Sequence, residues 1–240
     1  MKILAPAFLM LCFLLVTIDC SAAYTKDARL TAVTSSELVK LITSTPLDSP
    51  LQEELLLRAS HSHLMNEAYD QYTILWKLHP DDANANLMRG VAAEYLGWDS
   101  MIPEFRTFYP NVNIGPLFLT ATDCLLKAVK LAPRSAKANM EAGFFLWQFG
   151  NNQPQGLSLL RKALRLSPNE TRVHTLWGMV YSNTSPAGYD IKKAIFHLRL
   201  ASQLDPTYAF PHEVLAGIYQ STHQKALAAQ EQKTFHQLIP

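Results

Sequence analysis

The stretches KAVKLAPRSAKA (127–138), KALRLSPNETRV (162–173) and LASQLDPTYAFP (200–211) write one phrase, Ala-x-x-Leu-x-Pro, three times. Each is followed by a polar run suited to starting a helix. Proline has no N–H and disfavours helical geometry in the residue before it, so the phrase closes one helix and lets the next begin. Its leucine is expected on the buried face, and its alanine marks a place where a neighbouring helix comes close.

The joint prolines fall on a period. Pro133, Pro168, Pro206 and Pro240 are spaced 35, 38 and 34 residues apart, and Pro80 lies 53 before Pro133, one period of 34 plus an excess of 19. Leucine stands two residues before each, at Leu78, Leu131, Leu166, Leu204 and Leu238. Within the helix ahead of each proline, an i, i+4, i+7 triplet lies along one face: Ala68/Tyr72/Leu75, Ala121/Leu125/Ala128, Gly156/Leu160/Ala163, Ala194/Leu198/Ala201 and Ala228/Gln232/Phe235. Their first member is always Ala or Gly, as close helix packing requires. After each internal proline a further helix is expected, with Gly90, Gly143, Gly178 and Ala216 at matching positions. Gln232 and the polar residues around it suit a terminal helix facing solvent.

This combination resembles the tetratricopeptide repeat (TPR) family, which places Gly or Ala at the eighth position of the first helix of each pair, small residues at two sites of the second, and proline at the joint. The resemblance is fullest over residues 136–240. It implies an all-α, right-handed helical solenoid of about five helix-turn-helix units. The aromatic usual near the start of the first helix is replaced by Asn86, Asn139, His174 and His212, so packing there is expected to be repaired by Trp147, Trp177 or their neighbours. The array is assigned to 49–240. Ahead of it, residues 24–48 hold a short capped helix in TSSELVKLITSTP (34–46).

The N-terminus, MKILAPAFLMLCFLLVTIDCSAA, has a lone Lys2, an apolar run and small residues at Ser21 and Ala23. This layout predicts a secretory signal over 1–23 and a periplasmic or extracellular protein. A lipid anchor at Cys20 is disfavoured because Asp19 precedes it where a small residue is needed. The segment takes with it Lys2 and Asp19, so the net charge of +1 is unchanged. That balance supplies no electrostatic case for nucleic acid or an anionic membrane. Only Cys124 remains, which excludes an internal disulfide. In a eukaryotic host the sequons at Asn169 and Asn183 could accept glycans.

No chemistry announces itself. The chain lacks His-Glu-x-x-His, Cys-x-x-Cys, a phosphate-binding glycine loop and Gly-x-Ser-x-Gly. His61 and His63 point to opposite sides if helical and read as solvated loop histidines. No catalytic residue, metal or cofactor is expected. The resemblance instead implies a concave groove lined by the first helix of each pair, where family members hold a peptide or helix. Carried onto this sequence, the groove positions are Asn84, Leu87, Val91, Glu94, Lys137, Met140, Phe144, Trp147, Arg172, Thr175 and Met179. Val91, Phe144 and Met179 stand where a carboxylate clamp would need polar donors, which favours an apolar or mixed segment. The alternative for this stripe is ordinary inter-helix packing.

The excess falls on WDSMIPEFRTFYPNVNIGP (98–116). Pro103, Pro110, Pro116 and Gly115 are expected to keep it out of both flanking helices, and four aromatics make it unlike a floppy linker. Two roles are open. Phe105, Arg106, Phe108 and Tyr109 could form a lid over the Met140/Phe144 stripe, or the aromatics could plug a gap between helices. The expected function is a non-enzymatic, exported TPR adaptor binding a segment of a partner protein. The alternative is a small-ligand or transporter-accessory protein whose groove closes into a pocket.

Overall fold

The computed structural model describes residues 33–149, 152–183 and 189–238. The expected signal segment lies outside them. Eleven α-helices and no strand occur among the described residues: α1 (Ser35–Ser44), α2 (Leu51–His61), α3 (Met65–Leu78), α4 (Ala83–Met101), α5 (Ile114–Leu131), α6 (Ala136–Gln148), α7 (Gln153–Leu166), α8 (Thr171–Ser182), α9 (Ile191–Leu204), α10 (Phe210–Ser221) and α11 (Lys225–Leu238). The chain divides into two compact units at Leu166/Ser167. In the N-terminal unit α2, α4 and α6 touch in succession, each followed by its antiparallel partner; in the C-terminal unit α8 touches α10. Helix α1 packs on α3. It has the expected cap: Thr34 Oγ1 accepts from Glu37 N while Thr34 N donates to Glu37 Oε2 at 2.9 Å.

Each joint leucine is the last residue of its helix, and the residue before each of the prolines Pro80, Pro133 and Pro206 has left helical geometry (ψ 60°, 69° and 95° at His79, Ala132 and Asp205). The proline thus acts as read, but the leucine does not. Leu78 is 66% exposed, and Leu131 and Leu204 are also exposed, because no later turn of the same helix shields a terminal residue. The buried faces belong to the triplets. Ala68, Tyr72, Ala121, Leu125, Ala128, Leu160, Ala163, Ala194, Leu198 and Ala201 are all buried, and Gln232 breaks the series in solvent.

The positions of the missing aromatics carry polar ties. Six residues after the joint proline, Asn86 Nδ2 donates to Pro80 O (2.8 Å) and Asp82 O (2.7 Å), while Oδ1 accepts from Trp76 Nε1 (3.0 Å). Asn139 repeats this with Pro133 O (3.1 Å) and Ser135 O (2.6 Å). His174 Nε2 donates to Pro168 O at 2.9 Å, and His212 reaches Glu231 of α11 at 2.6 Å. At three of the four joints the proline carbonyl finds a side-chain donor here, which is the physical reason for a polar residue at this position.

The excess is spent differently from the expectation. Trp98 to Met101 continue α4, and Ile114 to Pro116 form the first turn of α5, where a missing proline N–H costs nothing. Both helices are lengthened, to 19 and 18 residues, and only 102–113 lies between them.

Candidate functional site

In the N-terminal unit Asn84 is half-exposed on α4, while Leu87, Val91 and Glu94 are buried; on α6 Met140, Phe144 and Trp147 are buried. Lys137 is half-exposed and pairs with Glu53 of α2 at 2.6 Å. The Phe144 and Trp147 rings lie 5.7 Å apart between centroids. In the C-terminal unit Arg172 is half-exposed, and Thr175 and Met179 are buried, with Thr175 Oγ1 donating to Thr171 O at 3.0 Å. Within the first unit the apolar members of this set are buried, and Asn84 and Lys137 are half-exposed. Trp147 is 2% exposed, and its Nε1–H has no hydrogen-bond partner among the described residues. A buried donor of this kind costs about 1–3 kcal/mol until an acceptor reaches it.

The insertion packs on the turn between α2 and α3. That turn is a Schellman motif, with Leu64 N donating to Ala59 O (2.7 Å), His63 N to Ser60 O (3.1 Å), and His63 at φ 56°. The αL backbone turns the His63 ring outward, where Phe108 stacks on it at 3.8 Å and Phe105 meets it edge-on at 4.6 Å. Tyr109 is 2% exposed, and its hydroxyl accepts from Met65 N at 3.4 Å. His61 and His63 are therefore half-buried and not the solvated loop pair expected. Burial, with the charges of Arg58 and His63, lowers His61 to about 4; burial lowers His63 as well. Phe105 and Tyr109 serve the core, whereas Arg106 and Phe108 remain exposed.

Beneath this turn lies a group that sequence reading missed. Asp99 of α4 is fully buried, with Oδ2 accepting from Ser60 Oγ at 2.8 Å and Oδ1 without a hydrogen-bond partner among the described residues. Burial raises its pKa to about 7, offset in part by the Ser60 bond, and the Asp99 charge joins burial in raising Tyr109. The signal was available: Ala92, Leu96 and Asp99 repeat the i, i+4, i+7 spacing of a buried face. A carboxyl whose folded pKa lies above its unfolded value holds extra protons in the folded state, so its stabilising contribution is complete below about pH 4 and lost as pH rises through 7. Asp99→Asn keeps an acceptor for Ser60 without the charge. It is expected to stabilise the protein by roughly 1–3 kcal/mol at pH 8 and to change little at pH 4, measured by urea unfolding at both values.

A cleft of about 340 Å³ opens beside the insertion, lined by Asn66, Tyr69 and Asp70 of α3, Leu96 of α4, Val112, and Pro116, Leu117 and Thr120 of α5. No group of three or more His, Cys, Asp or Glu side chains suited to a metal ion occurs among the described residues, and none of their helices is long and apolar enough to cross a membrane.

Neither a family model nor a curated protein matches the chain. Solved structures do. MamA of Desulfovibrio magneticus RS-1, residues 41 to the end, is 19% identical over 78% of this chain and 93% of its own, with a TM-score of 0.50; a MamA RS-1 double mutant gives the same identity and score. TTC0263, a thermophilic TPR protein of Thermus thermophilus, is 17% identical over 72% of this chain and 81% of its own, with a TM-score of 0.52. At such identity the likeness concerns fold, and the fold of this chain is that of the TPR proteins.

Proposed function

We propose that the chain is a non-enzymatic, exported adaptor that holds a peptide or helical segment of a partner protein along its inner helices. The observation that carries this is the buried Trp147 Nε1–H. It is a donor without a hydrogen-bond partner among the described residues, at a position the repeat register assigns to the groove and beside Phe144, and a peptide carbonyl satisfies such a donor. Within the C-terminal unit, Arg172, Thr175 and Met179 hold the corresponding register positions on α8. The signal-like N-terminus supports export, and the absence of any catalytic motif in the sequence supports binding over catalysis.

A second reading, a small-ligand or accessory protein, is favoured by the cleft beside the insertion, whose volume is at the lower end of the range for ligand sites. Affinity capture from the native compartment, with native mass spectrometry of the purified protein, separates the two. One stoichiometric protein partner supports the adaptor, and a retained small molecule supports the cleft. For the groove, the conservative changes Phe144→Leu and Trp147→Phe are expected to weaken partner capture at least tenfold while the melting temperature falls by no more than a few degrees. Capture and melting that fall in step would assign both rings to the core alone.

A further inference from the structure

The tie from the sixth residue after the joint proline to that proline's carbonyl is made by an amide at Pro80 and Pro133 (Asn86, Asn139) and by an imidazole at Pro168 (His174), while His212 at the same position bonds Glu231 instead. The change of residue type alters what acid does to each joint. His174 is held from both sides. Its Nε2 lies 2.9 Å from Pro168 O, which can only accept, so Nε2 carries a proton. Its Nδ1 lies 2.9 Å from Nδ1 of His197 on α9, a separation that holds one proton between two nitrogens. In the neutral pair His197 Nδ1–H donates and His174 Nδ1 accepts. A first added proton is tolerated if His197 shifts its hydrogen to Nε2. A second leaves two N–H groups facing each other, and the bond is lost.

The surroundings oppose those protons. The ionisable residues of α8 are Arg172, His174 and Tyr181, and those of α9 are Lys192, Lys193, His197 and Arg199; the carboxylates at their N-caps are engaged locally, Glu170 by Arg172 N and Asp190 by Lys193 Nζ at 3.2 Å. Helix α10, which packs on both, adds His212, Glu213 and Tyr219. His212 is committed to Glu231, and Tyr219 accepts from Arg199 at 3.0 Å. Lys193 Nζ stands 5.4 Å from the Tyr181 ring, which itself stacks on His197.

We propose that the His174–His197 pair makes the joint at Pro168 acid-sensitive, so that the packing of α8 on α9 loosens on acidification while the amide-tied joints at Pro80 and Pro133 do not respond. Burial, the His174 charge and Lys193 hold His197 down to about 4. With the folded value below the unfolded one, the contribution is present above about pH 6.5 and is lost as pH falls towards 4.

The chain supplies its own control. His174→Asn places at Pro168 the residue that already serves Pro80 and Pro133, and its amide oxygen accepts from His197 whether or not His197 is protonated. Between pH 7.5 and 4.5 the wild type is expected to lose roughly 3 °C more in melting temperature than H174N, after allowance for partial solvent screening of the pair. Asp99 acts in the other direction in both proteins and cancels in this difference. Imidazole ¹⁵N titration of the wild type supplies a second readout that does not depend on any variant folding: one ring of the pair is expected to stay neutral at pH 5. Both rings titrating near 6.5, or parallel melting profiles for the two proteins, overturns the proposal.

Discussion

Gly143→Leu is expected to cost at least 2–4 kcal/mol, enough to leave much of the N-terminal unit unfolded at 37 °C. The reason is backbone contact. A Cβ placed on Gly143 would lie 2.8 Å from Leu160 N and 2.9 Å from Gly156 O, and one on Gly156 would lie 2.5 Å from Trp147 N. Helices α6 and α7 thus cross with main chain against main chain, and no rotamer change makes room. Gly178 differs. A Cβ there would meet only the Leu198 side chain, at 2.4 Å from Cγ. Gly143→Ala should therefore be destabilising and resist rescue by Leu160→Ala, whereas Gly178→Ala should recover most of its loss when combined with Leu198→Ala. Urea unfolding of the four variants measures both statements. A Gly143→Leu protein melting as the wild type would mean that α6 and α7 do not cross at this point.

The same contacts explain why the repeat was legible. Each requirement of a helix pair is local and recurs: a proline to stop, a small residue where backbones meet, and a large one three or four residues on. Periodicity exposes such requirements even where individual residues vary. The joint leucine was placed wrongly because its recurrence suggested burial, yet Leu78, Leu131 and Leu204 recur at helix ends, where good helix formers suffice and exposure is tolerated. Asn86, Asn139, His174 and His212 were seen as departures from an aromatic pattern. Their partners, the carbonyls of Pro80, Pro133 and Pro168 and the side chain of Glu231, are backbone or distant groups that a sequence does not display.

The candidate site was less legible, for a physical reason. Groove positions are defined by which helix face points inward, and the register yields that directly; whether those side chains meet a partner or one another depends on burial. Leu87, Met140, Phe144 and Trp147 prove buried, while Lys137 is drawn to Glu53 of another repeat. Asp99 escaped notice because an acid is taken for a surface residue, although it continues the buried spacing of Ala92 and Leu96.

Replacing residues 102–113 with a short Gly/Ser turn is expected to destabilise the N-terminal unit by about 3–5 kcal/mol, the scale of deleting a large buried aromatic and its neighbours. The segment supplies Ile102 and Tyr109, both buried, and Phe105, packed against the core. Its loss also strips Met65 N of the Tyr109 hydroxyl and His63 of both ring contacts. Exposure follows at the α2–α3 turn, directly above Ser60 and Asp99, so faster amide exchange at 60–65 should accompany the lower stability. A lid over the groove predicts another result: normal stability with lost binding. The exposed tip isolates that possibility. Arg106→Ala and Phe108→Ala remove an exposed cation and a ring that is 51% exposed, and each should change stability by no more than about 0.5 kcal/mol. If partner capture nevertheless collapses in these two variants, the tip contacts the partner while the base holds α2 to α4. If capture is untouched and only the full replacement unfolds the unit, the insertion is a structural plug.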